Sequence, residues 1–153
     1  MKLPGTYNTY TPVSGFTLFE LMLVMAMVVI IGVFTSSIGV SYYQSQILNE
    51  TTDNLVSTLR QVQGLAMSGK NNHAFGVFID EGSYTMFEGQ NYESRLINQD
   101  IVFPINSNIT ISGPSEIIFS ELTGNANVTD TLYISLGNKE QQVNILSTGY
   151  IDK

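Results

Sequence analysis

The chain has 153 residues, no cysteine, 13 acidic and 6 basic residues, and a formal net charge of −7. The absence of cysteine excludes disulfide bonds, thiol catalysis and cysteine-ligated metal centres. The acidic balance, with only 12% charged residues, argues against a general nucleic-acid-binding surface, which needs clustered lysine and arginine.

The first predicted element is a leader, residues 1–15, which is polar, contains proline and glycine, and has no helical or strand periodicity. We interpret it as a segment outside the fold. Fourteen uncharged residues, Leu21–Phe34, follow a single carboxylate, Glu20. An acidic side chain costs about 2.5–3.5 kcal/mol at mid-bilayer and less near a helix end. Because this cost must be offset, we expect Glu20 to have a function.

A helix is predicted from Phe16 to the region of Gly69. Its first part is apolar on all sides, and the part over 44–68 is amphipathic. Gly69 ends it, because glycine takes the left-handed cap conformation at low cost. We divide the chain into the leader, a transmembrane or filament-core half over 16–43 and a globular domain over 44–153. The apolar stripe of the amphipathic part consists of Leu48, Thr52, Leu55, Leu59, Val62 and Ala66.

After Gly69 the pattern changes from helical to alternating, which predicts β-strands. Glu81-Gly82 is a turn between the first two strands, and a second hairpin turns at 137–139. A spine helix with one small antiparallel sheet over 73–151 packed on its C-terminal half is an α+β fold. The predicted strands are 73–80, 83–88, 101–105, 109–112, 116–119, 132–136 and 143–145.

Catalytic and metal-binding motifs are not evident in the sequence. It has no glycine-rich phosphate loop, no zinc-protease motif and no nucleophile elbow. Its single histidine, His73, lies at a predicted strand edge and is interpreted as a surface residue. We therefore predict no enzymatic activity, no cofactor and no metal site.

The stretch Gly15-Phe-Thr-Leu-Phe-Glu-Leu-Met-Leu-Val resembles the processing and assembly signal of type IV pilins and type II secretion pseudopilins. The resemblance implies that a prepilin peptidase cuts after Gly15 and that the new N-terminal Phe16 is N-methylated. It also implies that Glu20, the fifth mature residue, pairs with the N-terminal amine of a neighbouring subunit. The implied partners are other pilin or pseudopilin subunits, an inner-membrane platform protein and an assembly ATPase.

The C-terminal half is similar to the H-type minor pseudopilins and related minor pilins. The shared features are an Ile-x-Phe segment at 117–119, a glycine loop at Gly124, a strand pair and a closing Thr-Gly-hydrophobic turn at 147–151. This resemblance implies a minor, non-enzymatic filament subunit. It would be a single-pass protein of the cytoplasmic membrane, with its C-terminal domain outside, before it enters a filament. A DNA-binding minor pilin and a tip adhesin are the alternatives, and scattered basic residues disfavour the first.

Two other interpretations of the N-terminal region stay open. Leu21–Phe34 fits the apolar part of a secretory signal cleaved near Ser37-Ile38-Gly39, and Phe16–Phe34 is long enough for a plain membrane anchor. Both leave Glu20 unexplained, and both favour a more basic N terminus than Lys2 alone supplies. The N-terminal features are common to pili and secretion pseudopili and do not separate them.

Overall fold

The structure is a computed structural model that describes residues 15–153, without the side chains of residues 34–38. The predicted leader therefore lies outside the described residues, except for Gly15. The chain divides into two compact units, 1–40 and 41–153. Helix α1 runs over Leu18–Met67, and every described strand lies in the second unit.

The part of α1 in the first unit is apolar and exposed. Its large apolar side chains from Leu18 to Ile30 are 49–77% exposed. Among the described residues, no helix combines the length and the apolarity that crossing a membrane requires. The transmembrane half predicted over 16–43 is therefore not confirmed.

The part of α1 in the second unit has the predicted amphipathic character. All six residues of the predicted stripe are at most 2% exposed, whereas Glu50 and Arg60 on the other faces are exposed. The helix ends as expected, because Gly69 adopts a left-handed conformation with φ 64°. Its N–H donates to the carbonyl of Ala66 at 3.1 Å. The predicted helix end is confirmed to within one residue.

Within the described residues, eight strands form two four-stranded antiparallel sheets, so the prediction of one sheet is wrong. Sheet A has the order β3-β2-β1-β5 and sheet B the order β4-β6-β7-β8. The chain first leaves sheet A between β3 and β4, returns to it in β5, and re-enters sheet B at β6. The Ile105 N–H donates to the carbonyl of Gly82, in the turn between two strands of sheet A. The Ile109 N–H, at the start of the next strand, donates to the carbonyl of Asn106. The strands are β1 Phe75–Asp80, β2 Ser83–Glu88, β3 Ile101–Pro104, β4 Ile109–Ser112, β5 Glu116–Phe119, β6 Asp130–Leu136, β7 Lys139–Ile145 and β8 Ile151–Asp152.

One hydrophobic core joins the helix stripe to both sheets. Val77 and Ile117 come from sheet A and Leu132 and Val143 from sheet B, and all four are 0% exposed. Burial of one such aliphatic side chain contributes about 1.5–3 kcal/mol. The core therefore forms because every second residue of the strands faces inward and packs on the apolar residues that recur every three or four positions along α1.

Candidate functional site

The segment Gly15–Glu20 forms the start of α1, with Thr17 as its cap. The Thr17 Oγ1 accepts a hydrogen bond from the Glu20 N–H at 3.2 Å, and the Thr17 carbonyl accepts one from the Leu21 N–H at 3.1 Å. Thr-x-x-Glu is the spacing of a capping box, and a carboxylate in the first turn interacts favourably with the helix dipole. This cap was missed at the sequence level, although the spacing signals it. Thr17 thus caps α1 through the main-chain N–H of Glu20.

The three predicted site residues lie within six consecutive positions, with Gly15 and Phe16 before α1 and Glu20 in its first turn. A Cβ at Gly15 would meet nothing within 4 Å, Phe16 is 84% exposed, and Glu20 is exposed. Cleavage, N-methylation and the pairing of Glu20 with another subunit stay predictions.

The two glycines of the predicted C-terminal motif meet on α1. The Gln63 Nε2 donates to the carbonyl of Gly124 at 3.1 Å and to that of Gly149 at 2.9 Å. Gly149 has φ 82°, and a Cβ at this position would lie 2.1 Å from the Gly124 carbonyl oxygen. Glycine is therefore required. The glycine loop and the closing turn form one attachment point on the helix, and the part played by Gln63 was missed at the sequence level.

The buried carboxylate of Glu88, which the sequence analysis missed, links β2 to the turn after α1 through hydrogen bonds. The Glu88 side chain is 2% exposed, and its Oε1 lies 2.7 Å from the Nδ1 of half-exposed His73. The Asn71 Nδ2 donates to both carboxylate oxygens, at 2.9 and 3.0 Å. Burial raises the pKa of Glu88, but the hydrogen bonds from His73 and Asn71 and the positive charges of His73 and Lys70 outweigh it, so this pKa lies below its usual value.

Most of the basic side chains of the second unit take part in intramolecular contacts on different elements. Affinity for DNA comes from lysine and arginine side chains that neutralise phosphates, so this distribution does not favour the DNA-binding alternative. Within residues 15–153, no three or more histidine, aspartate or glutamate side chains are grouped so that they could hold a metal ion. The contacts are Arg95 with Asp100 at 2.7 Å, Lys153 with Asp53 at 2.6 Å, Lys139 with the Ser41 carbonyl at 2.6 Å and Arg60 with the Ile151 carbonyl at 3.3 Å.

Comparison with known proteins gives one informative likeness. No family model matches the chain, and no curated protein matches it. Among solved structures, the minor pseudopilin EpsH from the type 2 secretion system of Vibrio cholerae is similar, with a TM-score of 0.51 and 13% sequence identity. The match covers 68% of this chain and 93% of that chain. The α+β fold is therefore like that of a pseudopilin, and at this identity the likeness concerns the fold alone.

Proposed function

We propose that this protein is a non-enzymatic structural subunit, of the minor kind, of a type IV pilus or a type II secretion pseudopilus. The observation that carries the proposal is an exposed apolar helix, from Leu18 to Ile30, in a chain whose fold is like that of a pseudopilin. Exposed apolar surface of this extent is unfavourable in water and marks an interaction site. Hydrocarbon and the apolar helices of neighbouring subunits are the surroundings that would cover it.

The proposed maturation begins with cleavage by a prepilin peptidase between Gly15 and Phe16 and continues with N-methylation of Phe16. The 16–43 half holds the chain in the cytoplasmic membrane, with the domain outside, until a platform protein and an ATPase transfer it to the filament. The exposed position of the Gly15–Phe16 junction, before the first helical turn, supports access by a peptidase.

In the filament, Glu20 neutralises the N-terminal amine of a neighbouring subunit. Cleavage creates a cation at Phe16, and both charges are then surrounded by apolar helices. Removal of one partner from such a buried pair costs about 3–5 kcal/mol, because the other charge is left uncompensated. This pairing would fix the register between adjacent helices.

The cleavage step is tested by N-terminal sequencing and mass spectrometry of the protein extracted from membranes. We expect Phe16 as the first residue, with an added methyl group. Gly15→Val should leave the precursor uncut, whereas the matched control Gly32→Val, also at a position with open space around it, should be cut normally. A mature terminus at Val40 would contradict the proposal and indicate an ordinary signal peptidase.

The assembly step is tested with Glu20→Gln in tagged chains recovered from purified filaments. We expect normal cleavage and membrane insertion but a fall in incorporation by about two to four orders of magnitude, the equivalent of about 3–5 kcal/mol. Glu50→Gln, which changes an exposed carboxylate of α1 in the other unit, is the control and should assemble normally. Equal incorporation of both variants would remove the assembly role from Glu20.

A further inference from the structure

One edge of sheet B is open, and the hydrogen-bonding register shows which main-chain groups face outward. The two-residue turn between β6 and β7 makes Leu136 and Lys139 a hydrogen-bonded pair. In antiparallel strands such pairs alternate with non-bonded ones. Leu136 and Ile134 therefore bond to β7, while Ser135 and Tyr133 direct their main-chain groups toward β4.

Within residues 15–153, strand β4 pairs on one side only, with β6. The partners of Ser135 and Tyr133 on β4 are Thr110 and Ser112. Ile109 and Ile111 consequently direct their N–H and C=O groups away from sheet B. The Ile109 N–H agrees with this register, since it donates to a loop carbonyl outside the sheet at 2.9 Å. The main chain of Ile111 is thus placed to pair with an added strand.

This open edge borders a groove of about 430 Å³ that lies between β4 and the β1–β2 turn. Ile79, Ile105, Ile109 and Ile111 line the groove together with the polar residues Ser107 and Thr110, and its exposed lining is more polar than apolar. Its volume is within the range of about 300–1,000 Å³ typical of binding sites. An extended segment placed here would therefore find main-chain partners on β4 and, beneath it, a surface of polar and apolar residues.

The rim of the groove is acidic. Asp80 and Glu81, at the β1–β2 turn, are both exposed and belong to the lining. None of the described residues that line the groove is basic. The local potential is therefore negative and attracts a cationic ligand.

We propose that this groove binds an extended, cationic segment of another protein, which adds to sheet B as a strand beside β4. Strand addition takes its affinity from main-chain hydrogen bonds and its specificity from alternate side chains. Because side chains alternate between the two faces of a strand, one alternate set enters the groove, where Asp80 and Glu81 favour lysine or arginine, and the other set faces away from it. The inference concerns the globular domain and is independent of N-terminal processing and of the proposed filament role.

The probe is a fluorescein-labelled peptide, Lys-Ile-Thr-Val-Lys-Ile, added to the full chain in detergent micelles at low salt. We expect saturable fluorescence anisotropy, weakening with added salt, and slower hydrogen exchange of the Ile111 amide in the complex. The double variant Asp80→Asn with Glu81→Gln should raise Kd by about twofold to thirtyfold, the range for two exposed ion pairs. Glu140→Gln removes an exposed carboxylate from β7 and should leave Kd unchanged.

Two altered peptides separate strand addition from simple charge attraction. Replacement of both lysines by glutamate should abolish binding, and methylation of the main-chain nitrogens should abolish it while the charge is kept. No saturable binding, or binding that neither rim charge nor main-chain methylation affects, would overturn the proposal. Protection of the Ile111 amide that rises with protein concentration in the absence of peptide would assign the groove to a second copy of this chain instead.

Discussion

The attachment of the closing turn to α1 can be tested by Gly149→Ala. Gly149 has φ 82°, and a Cβ there would lie 2.1 Å from the Gly124 carbonyl oxygen and 2.2 Å from the Gln63 Nε2. The added methyl group must therefore displace both the Gly124 main chain and the Gln63 side chain. Two hydrogen bonds, at 3.1 and 2.9 Å, are lost together with the favourable glycine conformation.

The expected loss of stability is the sum of two effects. Holding an L-residue in the left-handed region costs about 1–2 kcal/mol, and each lost hydrogen bond costs about 0.5–1.5 kcal/mol. Gly149→Ala should therefore lower the free energy of unfolding by about 2–5 kcal/mol. Gly137→Ala is the matched control: Gly137 also has positive φ, 61°, but the nearest atom to its Cβ position is the Gln44 Nε2 at 4.0 Å. It should cost only the conformational part, about 1–2 kcal/mol.

Urea unfolding of the full chain in detergent micelles measures both values. Tyrosine fluorescence is a suitable signal, since the protein has 8 tyrosines and no tryptophan. A double-mutant cycle with Gln63→Ala should show strong non-additivity, because both substitutions remove the same hydrogen bonds. Equal costs for Gly149→Ala and Gly137→Ala, or full additivity with Gln63→Ala, would refute this account of the closing turn.

Two further predictions concern the second unit. The pKa of Glu88 is lower in the folded than in the unfolded chain, so the unfolded chain binds more protons between the two values. The free energy of unfolding should therefore fall as the pH drops below about 4.3, the usual glutamate pKa. Glu88→Gln should weaken this dependence in urea titrations at a series of pH values, and an unchanged profile would show that Glu88 does not cause it. The fragment 44–153 is expected to be soluble and folded, because the buried stripe begins at Leu48; a random-coil circular dichroism spectrum would show that the boundary is wrong.

Local patterns in the sequence predicted the elements of this fold. The three- and four-residue spacing of apolar residues from Leu48 to Ala66 predicted the buried face of the helix, and Gly69 predicted the helix end. The turns at Gly82 and Gly137 predicted both hairpins. These features depend on residues a few positions apart, so local conformational preference and the position of the apolar face are sufficient to specify them.

The arrangement of those elements depended on contacts between residues far apart in the sequence. Strands β4, β6, β7 and β8 form a second sheet, because β4 pairs with β6, whereas β5 returns to β1 of sheet A. No local pattern specifies such pairing between strands that are not neighbours along the chain. The segment 89–100, polar and irregular in the sequence, packs through Tyr92, which stacks on Phe78 at 3.9 Å with Arg95 above its ring at 3.6 Å.

The candidate sites divide in the same way. Gly15, Phe16 and Glu20 were identified from a continuous stretch of sequence, and the same stretch contains the Thr17 capping signal. Three features became visible only in the tertiary structure: the hydrogen bonds to the Glu88 carboxylate, the two hydrogen bonds of Gln63 and the open edge at Ile111. Each of these features joins segments that are far apart in the sequence. The apolar periodicity identifies each segment by itself, whereas the packing of the whole core decides which segments meet.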